Sequence, residues 1–262
     1  MVDQSATDGV RYSVEGPVAR VTIDRPARLN ALDRRAVADL ADAFDRASAD
    51  NDVRVVVLTG SGERAFSVGA DLKDLAGAAA EDVDDNPRAR GIRLFEAILL
   101  TEKPTIAAIN GLALGVGCEV ALACDMRLAA DDASLGLPEA KLGLAAMFGS
   151  IALPRLLPPA IAARMLFTGE SISASEALRW GLVNDVTPRE LLSGAVDELA
   201  LAVARNAPLS LARFKNVWRQ THGLSYLDAL RLDVSPDPFI SADRLEGMRA
   251  FLEKRPPRWI GR

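Results

Sequence analysis

Aromatic residues, histidine and cysteine are scarce in this 262-residue sequence. Only 5% of the residues are aromatic although 49% are apolar, so small aliphatic side chains must fill the core. The only cysteines, Cys118 and Cys124, have a spacing that suits neither a disulfide framework nor a zinc site. The only histidine, His222, precedes Gly223 and is interpreted as a helix cap. We therefore expect no metal site.

An excess of basic charge and a long apolar run are also missing. The net charge is −5 and the pI is about 5.1, which argues against a general nucleic-acid-binding protein. No apolar run reaches the roughly 20 residues that cross a bilayer. No early run joins a basic start to an apolar stretch. We expect a soluble cytoplasmic protein that binds neither nucleic acid nor membrane.

One stretch near the middle of the chain combines a strand, a glycine-rich bend and a helix start. Thr105–Asn110 predicts a strand that is buried on both faces. Gly111, Gly115 and Gly117 follow, and the helical pattern that begins there leaves the N–H groups of its first turn unpaired. Glu119 falls in that turn, where the helix dipole is expected to keep it ionised. The alternative is a tightly packed corner whose glutamate only caps the helix.

A second segment, Ala65–Lys73, repeats this order of strand, glycine turn and helix start. Before it, Arg11–Val14 and Val18–Ile23 predict a β-hairpin. Asp33 is expected to cap a helix, and Val53–Thr59 predicts another buried strand. The succession of strand, helix and strand predicts a parallel sheet.

The rest of the chain is predicted mainly from its periodicity. The segment from Ala76 to Arg88 is small, acidic and aperiodic, which predicts a mobile loop. Met126–Ala130 and Leu182–Val186 predict strands, and Ser134–Leu137 predicts a short extended piece. The predicted helices are Ala89–Leu100, Ile161–Phe167, Ala174–Leu178, Leu191–Arg205, Leu209–Gln220, Leu224–Leu232 and Ala242–Leu252. A boundary near residue 190 separates a βα-rich core from a helical tail.

Six segments occur in the order, and at about the spacing, of the enoyl-CoA hydratase/isomerase (crotonase) family. They are Ala27–Leu32, Ala65–Lys73, Lys103–Asp125, Leu137–Leu144, Ser175–Val186 and Ala250–Trp259. The chain resembles that family over nearly its whole length. The resemblance implies an α/β fold with a spiral of ββα units over residues 1–190. It also implies a helical region, residues 191–262, that makes the contacts of a homotrimer or of a hexamer built from two trimers.

The same resemblance implies that the ligand is an acyl-coenzyme A thioester, with no separate cofactor. Adding to, or shifting, a double bond beside a thioester creates an enolate, whose oxygen two N–H donors can stabilise by a few kcal/mol each. By resemblance, these donors are the backbone N–H groups of Ala70 and Val116. The family usually has glycine at the second position, so the valine side chain must occupy space near the thioester.

Hydration of the double bond needs two acid–base groups, one for the water and one for the proton at the α-carbon. Glu119 and Glu139 match the two positions where hydratases of this family carry glutamate, whereas isomerases commonly keep only the second. An enoyl-CoA hydratase is therefore the leading hypothesis. The alternatives are an enoyl-CoA isomerase or another family lyase, and a non-catalytic acyl-CoA-binding member. An RNA-binding member conflicts with the acidic composition.

The resemblance also places the groups that hold coenzyme A. The residues expected around the adenine and phosphates are Arg28, Leu29, Val68, Gly69, Ala70 and Lys73. Phe251 and Lys254 would come from the C-terminal helix of the same or a neighbouring subunit. Lysines on helices are usually only solvated, which is the alternative for Lys73 and Lys254.

The sequence departs from the family after Leu144, where a Pro-Gly-rich turn is replaced by Ala145–Ser150. Met147 and Phe148 in this segment are expected to line or narrow the acyl site. The alternative is that both are core residues, the commoner position of Met and Phe.

Overall fold

A computed structural model describes residues 9–77 and 87–262 of the chain. Ten strands form two sheets within these residues. They are β1 (Gly9–Glu15), β2 (Val18–Asp24), β3 (Val55–Gly60), β4 (Ala65–Ser67), β5 (Thr105–Ile109), β6 (Leu112–Leu114), β7 (Met126–Ala130), β8 (Ser134–Gly136), β9 (Ile172–Ser173) and β10 (Asp185–Thr187).

The chain alternates between the two sheets. The larger sheet has the order β1-β2-β3-β5-β7-β10 and the smaller has the order β4-β6-β8-β9. Each of the pairs β3–β4, β5–β6 and β7–β8 therefore contributes one strand to each sheet before the chain turns into helix. The pairs β1–β2 and β8–β9 are antiparallel, and the other pairs are parallel. This repeat is the predicted series of ββα units.

Eleven α-helices complete the described residues. They are α1 (Arg34–Ala49), α2 (Leu72–Gly77), α3 (Pro87–Leu100), α4 (Val116–Ala123), α5 (Gly149–Leu156), α6 (Pro159–Thr168), α7 (Ala174–Arg179), α8 (Leu192–Ala204), α9 (Pro208–Thr221), α10 (Tyr226–Arg231) and α11 (Ala242–Leu252). None of the helices in residues 9–77 and 87–262 has both the length and the apolar character of a membrane span.

Several local predictions are confirmed. The hairpin of β1 and β2 pairs over its whole length, from Gly9 opposite Asp24 to Glu15 opposite Val18. Asp33 caps α1, since its carboxylate accepts a hydrogen bond of 2.9 Å from the N–H of Ala36. The apolar face of α1 is buried against the sheet, with Leu40 and Phe44 fully enclosed.

Other predictions are corrected. The predicted glycine-rich bend after β5 contains the strand β6, because its residues pair with β4 and β8 of the second sheet. Helix α5 has no counterpart among the predicted helices. The strand predicted at Leu182–Val186 begins only at Asp185, since Leu182 and Val183 are core residues of the preceding turn. The predicted loop from Ala76 to Arg88 is helical at both ends, and its centre lies outside the described residues.

The helices near the C-terminus divide into two kinds. Leu192, Val196 and Ala200 of α8 lie in the same apolar core as the large sheet, within reach of β3, β5 and β7. Helices α9–α11 instead leave many large apolar side chains exposed. The division of the chain near residue 190, and its use in a trimer, stay predictions.

Candidate active site

A cavity of about 960 Å³ opens between the two glycine bends and α3. Both predicted donor residues, Ala70 and Val116, and both predicted glutamates, Glu119 and Glu139, lie in its wall. Residues from three separate ββα units are thereby brought together around one space.

The two glycine bends touch each other. Gly69 and Gly115 have φ values of +92° and +54°, conformations that side chains rarely adopt. A Cβ atom on Gly69 would lie 2.8 Å from the carbonyl oxygen of Leu114 and 3.2 Å from the nitrogen of Val116. This close approach directs the N–H groups of Ala70 and Val116 to one end of the cavity. Neither N–H group has a hydrogen-bond acceptor in residues 9–77 and 87–262.

The first bend is held by the loop that precedes α1. The N–H of Leu32 donates to Gly69 O over 2.7 Å, and the N–H of Asp71 donates to Leu32 O over 2.9 Å. These bonds use the carbonyl of the Gly69–Ala70 peptide and the N–H of the Ala70–Asp71 peptide, and they leave the N–H of Ala70 available. Asn30, fully buried with φ of +57°, anchors the same loop through a 2.7 Å bond to Ala65 O. Sequence reasoning missed Asn30, for which the only signal was an asparagine in a short loop, a residue type that tolerates the left-handed region.

The second bend is fixed by the smaller sheet and begins α4. The N–H of Gly115 donates to Gly136 O over 2.9 Å, and Val116 is the first residue of the helix. A Cβ atom on Gly117 would lie 2.2 Å from Ser67 O, so this turn of α4 packs directly on β4. The Val116 N–H is thus one of the unpaired donors of a helix N-terminus that cannot easily move.

Glu119 is almost fully buried, with 1% of its surface exposed. Its Oε1 accepts hydrogen bonds from the N–H groups of Phe148, at 2.6 Å, and Gly149, at 2.7 Å, where α5 begins. Burial raises the pKa of Glu119 from its usual 4.5 to about 7, and the nearby Glu139 adds to the rise, whereas the two N–H groups oppose it. The position in the first turn of α4 therefore does not keep the pKa of Glu119 low, because the loss of water on burial raises it.

Glu139 is less enclosed and follows Pro138 in a 3-10 turn, Pro138–Leu142. Its Oε1 would lie 3.2 Å from a Cβ atom on Gly115, so the absence of a side chain there lets the carboxylate reach the second bend. Its Oε2 is buried and has no hydrogen-bond partner in the described part of the chain. Burial raises the pKa of Glu139 above its ordinary value. An unpartnered carboxylate oxygen beside an open cavity can take up a water or a substrate proton.

A comparison with family models gives one match, the enoyl-CoA hydratase/isomerase model, over residues 13–262. The chain belongs to the enoyl-CoA hydratase/isomerase family. The predicted crotonase resemblance is confirmed, and the two-sheet repeat of ββα units is the fold of this family.

Relatives and solved structures agree with this membership. The chain is 41% identical to a carnitinyl-CoA dehydratase of Citrobacter koseri over 98% of its own length and 100% of the relative's. A crystal structure of an enoyl-CoA hydratase from Bacillus anthracis superposes with a TM-score of 0.90 at 34% identity, covering 97% and 100% of the two chains. An enoyl-CoA hydratase/carnithine racemase from Magnetospirillum magneticum gives a TM-score of 0.87 at 30% identity, covering 98% and 97%.

The residues that the family resemblance assigned to coenzyme A fall into two groups. Arg28, Val68 and Lys73 line the cavity together with Ala70. Gly69 forms the first bend, and Leu29 lies in the loop before α1, where its carbonyl accepts a 3.2 Å hydrogen bond from the N–H of Val68. Phe251 and Lys254 do not line the cavity within the described chain and lie exposed on and after α11.

Asp71 is a second residue that sequence reasoning missed. Its carboxylate is 2.8 Å from the guanidinium of Arg28, which holds the pKa of Asp71 below its ordinary value. The bond places Arg28 at the cavity and joins the loop before α1 to the first bend. The charge of Asp71, directly after the predicted donor Ala70, was the signal available in the sequence.

The structure separates the two residues predicted for the acyl site. Met147 lines the cavity and lies against α3, where a Cβ atom on Gly91 would be 2.4 Å from its Cε. The ring of Phe148 is outside the cavity wall and stacks on Phe95, with ring centroids 5.0 Å apart. Phe148 contributes its N–H group to Glu119 and its ring to the core.

Proposed function

We propose that this family member is a hydro-lyase that adds water across the 2,3 double bond of an enoyl-CoA thioester and catalyses the reverse dehydration. The observation that supports this proposal most strongly is the presence of two glutamates and two unpaired N–H donors in one cavity. A protein that only binds acyl-CoA has no need of two buried carboxylates with raised pKa values.

The proposed mechanism assigns each group one task. The N–H groups of Ala70 and Val116 hold the thioester oxygen and stabilise the negative charge that it gains in the enolate. One glutamate removes a proton from water as its oxygen bonds to the β-carbon, and the other delivers a proton to the α-carbon. We propose that both additions occur on one face of the double bond, which is syn addition.

Coenzyme A enters as part of the substrate, held by Arg28, Val68 and Lys73 beside the first bend. We expect no further cofactor, because proton transfer and oxyanion stabilisation are sufficient for this reaction. The contribution of Phe251 and Lys254 from a neighbouring subunit of a trimer or hexamer, and the cytoplasmic location, remain proposals.

A second candidate is dehydration of a carnitinyl-CoA thioester. It is favoured by the 41% identity to the carnitinyl-CoA dehydratase of Citrobacter koseri over 98% of this chain. Loss of water from a 3-hydroxyacyl thioester is the reverse of enoyl hydration, so the same groups would serve both. The difference lies in the acyl group, since the carnitinyl group carries a quaternary ammonium.

One assay separates these candidates. Enoyl thioesters that are short, long, branched, aromatic or substituted with trimethylammonium are mixed with the protein, and the loss of enoyl absorbance is followed. The proposal predicts hydration of at least one of them, and preference for the trimethylammonium substrate would establish the second candidate. Shift of a 3-enoyl double bond without any hydration would instead show an isomerase. Binding without any reaction would show a non-catalytic acyl-CoA-binding protein.

A further inference from the structure

The position of the Glu119 carboxylate depends on the start of α5. Glu119 belongs to α4, but both hydrogen bonds to its Oε1 come from the backbone of Phe148 and Gly149, 29 and 30 residues further along the chain. A shift of this backbone would move or release the carboxylate.

Gly149 also packs against Leu137, the residue that precedes the turn carrying Glu139. A Cβ atom on Gly149 would lie 2.5 Å from Cδ1 of Leu137 and 3.3 Å from Cβ of Ala146. Leu137 is 1% exposed and directly precedes the turn Pro138–Leu142 that carries Glu139. Leu137 therefore has little room to retreat, and its backbone is continuous with the second glutamate.

We propose that Gly149 is a positioning residue that sets the placement of Glu119 relative to Glu139. The N–H group of Gly149 donates to the carboxylate of Glu119. Because Gly149 has no side chain, Leu137 can pack against it, and Leu137 precedes the turn that carries Glu139. This inference rests on the proposed function, because it matters for turnover only if both glutamates act on one substrate.

An alanine at this position would meet Cδ1 of Leu137, and because Leu137 is 1% exposed we expect one of two movements to relieve the contact. Either the start of α5 withdraws and weakens the N–H bonds to Glu119, or Leu137 moves and carries Pro138 and Glu139 with it. Both movements change the placement of one glutamate relative to the other. Loss of the N–H bonds would also raise the pKa of Glu119 further, since those bonds oppose its rise.

The first test is G149A with saturated and unsaturated acyl-CoA. A misplacement of about 1 Å can lower turnover by about a hundredfold, so we expect kcat to fall by at least about tenfold. The KM and the Kd for a saturated acyl-CoA should stay within about twofold, because the residues assigned to coenzyme A are unchanged. The pH at which kcat is half-maximal should shift, and it should rise if the N–H bonds to Glu119 are lost.

The matched control is G194A on α8, where a Cβ atom meets nothing within 4 Å. It makes the same chemical change in a helix remote from the cavity, and we expect wild-type kcat and an unchanged pH profile. A wild-type kcat and pH profile in a folded G149A would overturn the proposal, even if its melting temperature falls.

The second test is the double variant L137V/G149A. Valine lacks the Cδ1 atom that the new methyl group would meet, so we expect the double variant to recover most of the kcat and pH profile of L137V. Failure to recover, with G149A impaired, would contradict the link through Leu137. If G149A does not fold, the double variant is compared directly with L137V, and a lower kcat in the double variant overturns the proposal.

A readout without turnover keeps this inference distinct from the proposed function. The carboxyl 13C resonance of Glu119, assigned by its loss in E119Q, reports the protonation of that group directly. In G149A its titration midpoint should rise if α5 withdraws, and the carboxyl resonance of Glu139, assigned by its loss in E139Q, should change its titration if Leu137 moves. Both should return in L137V/G149A. Unchanged titration of both glutamates in G149A would overturn the inference, whereas absence of hydration by the wild type would overturn only the proposed function.

Discussion

The cavity wall and the C-terminal helices differ in the kind of side chain that they bury. The cavity wall encloses carboxyl groups, whereas the C-terminal helices leave large apolar side chains exposed. At the cavity, Glu119 is 1% exposed and Glu139 has a buried oxygen without a partner. On α10, α11 and the turn between them, Tyr226 is 91% exposed, Ile240 is 87% exposed and Phe251 is 82% exposed. The cavity wall buries ionisable carboxyl groups, which costs free energy when they are charged, and the C-terminal helices leave apolar surface in water.

Polar contacts attach α9 to the rest of the chain. Lys215 Nζ is 2.8 Å from Asp125 Oδ2, and Asn216 donates to Glu102 over 3.0 Å. These bonds take up the inner face of the helix, while Phe214 and Trp218 point outward and are 58% and 72% exposed. Extended apolar surface of this kind marks an interaction site. The chain therefore buries the two carboxyl groups of the candidate site by itself, whereas the apolar side chains of its C-terminal helices lie exposed where the predicted trimer contacts would form.

The largest expected effect tests the cavity side of this comparison. We expect E119Q and E139Q each to lower kcat by at least about a hundredfold, because general acid–base groups contribute that much. Binding of a saturated acyl-CoA and the oligomeric state should not change. E63Q, at an exposed position outside the cavity, is the matched control. Near-normal hydration rates in both E119Q and E139Q would show that the proposed catalytic roles of the two glutamates are wrong.

The next effect tests the C-terminal side. We expect a trimer or hexamer at micromolar concentration by light scattering, with α9–α11 at the contacts. L230E, at a side chain that is 81% exposed, should dissociate it and weaken acyl-CoA binding if Phe251 and Lys254 act across subunits. V14E on the β1–β2 hairpin is the control. A wild-type monomer would show that the exposed surface has another purpose.

A further prediction concerns how the burial of Glu119 changes the free energy of unfolding with pH. The fold raises its pKa from 4.5 to about 7, so the folded protein holds this proton more tightly than the unfolded chain. The contribution to stability is complete below pH 4.5 and is lost as the pH rises through about 7. The loss is at most about 3 kcal/mol, at about 1.36 kcal/mol per pKa unit.

Urea unfolding at about pH 5 and about pH 8 measures this loss. The wild type should lose stability relative to E119Q at the higher pH, since glutamine does not titrate. Glu139 adds a change of the same sign, because burial raises its pKa too. Equal pH dependence in both proteins would mean that Glu119 is ionised in the fold.

The last prediction separates Met147, which lines the cavity, from its neighbour Phe148, whose ring packs outside the cavity wall. M147G should shift kcat/KM towards bulkier acyl groups by about 1–3 kcal/mol in relative terms, because it removes bulk from an apolar wall. F148A should instead cost about 2–5 kcal/mol of stability through the loss of its stack on Phe95. A melting temperature and a substrate panel for each variant decide the matter. If M147G leaves the kcat/KM ratios between substrates unchanged and lowers the melting temperature strongly, Met147 is a core residue as well.

Local patterns in the sequence determined the elements and the family. The alternation of β1 and β2 and the cap at Asp33 depend on neighbours within a few positions, where the periodicity of the chain is informative. The ordered motifs predicted the family, and with it Ala70, Val116, Glu119 and Glu139 as candidates for one site. The hairpin and the cap need only residue types and spacing, whereas the site residues came from the resemblance to the family.

Only the tertiary structure decided the protonation of Glu119 and the separate positions of Met147 and Phe148. Glu119 takes its hydrogen bonds from residues about 30 positions away, and its pKa follows from loss of water, which no local pattern reports. Strand β6 exists because a second sheet offers it partners, although its three residues lie between Gly111 and Gly115. Burial and long-range pairing arise when distant segments pack together, so they became visible only in the folded chain.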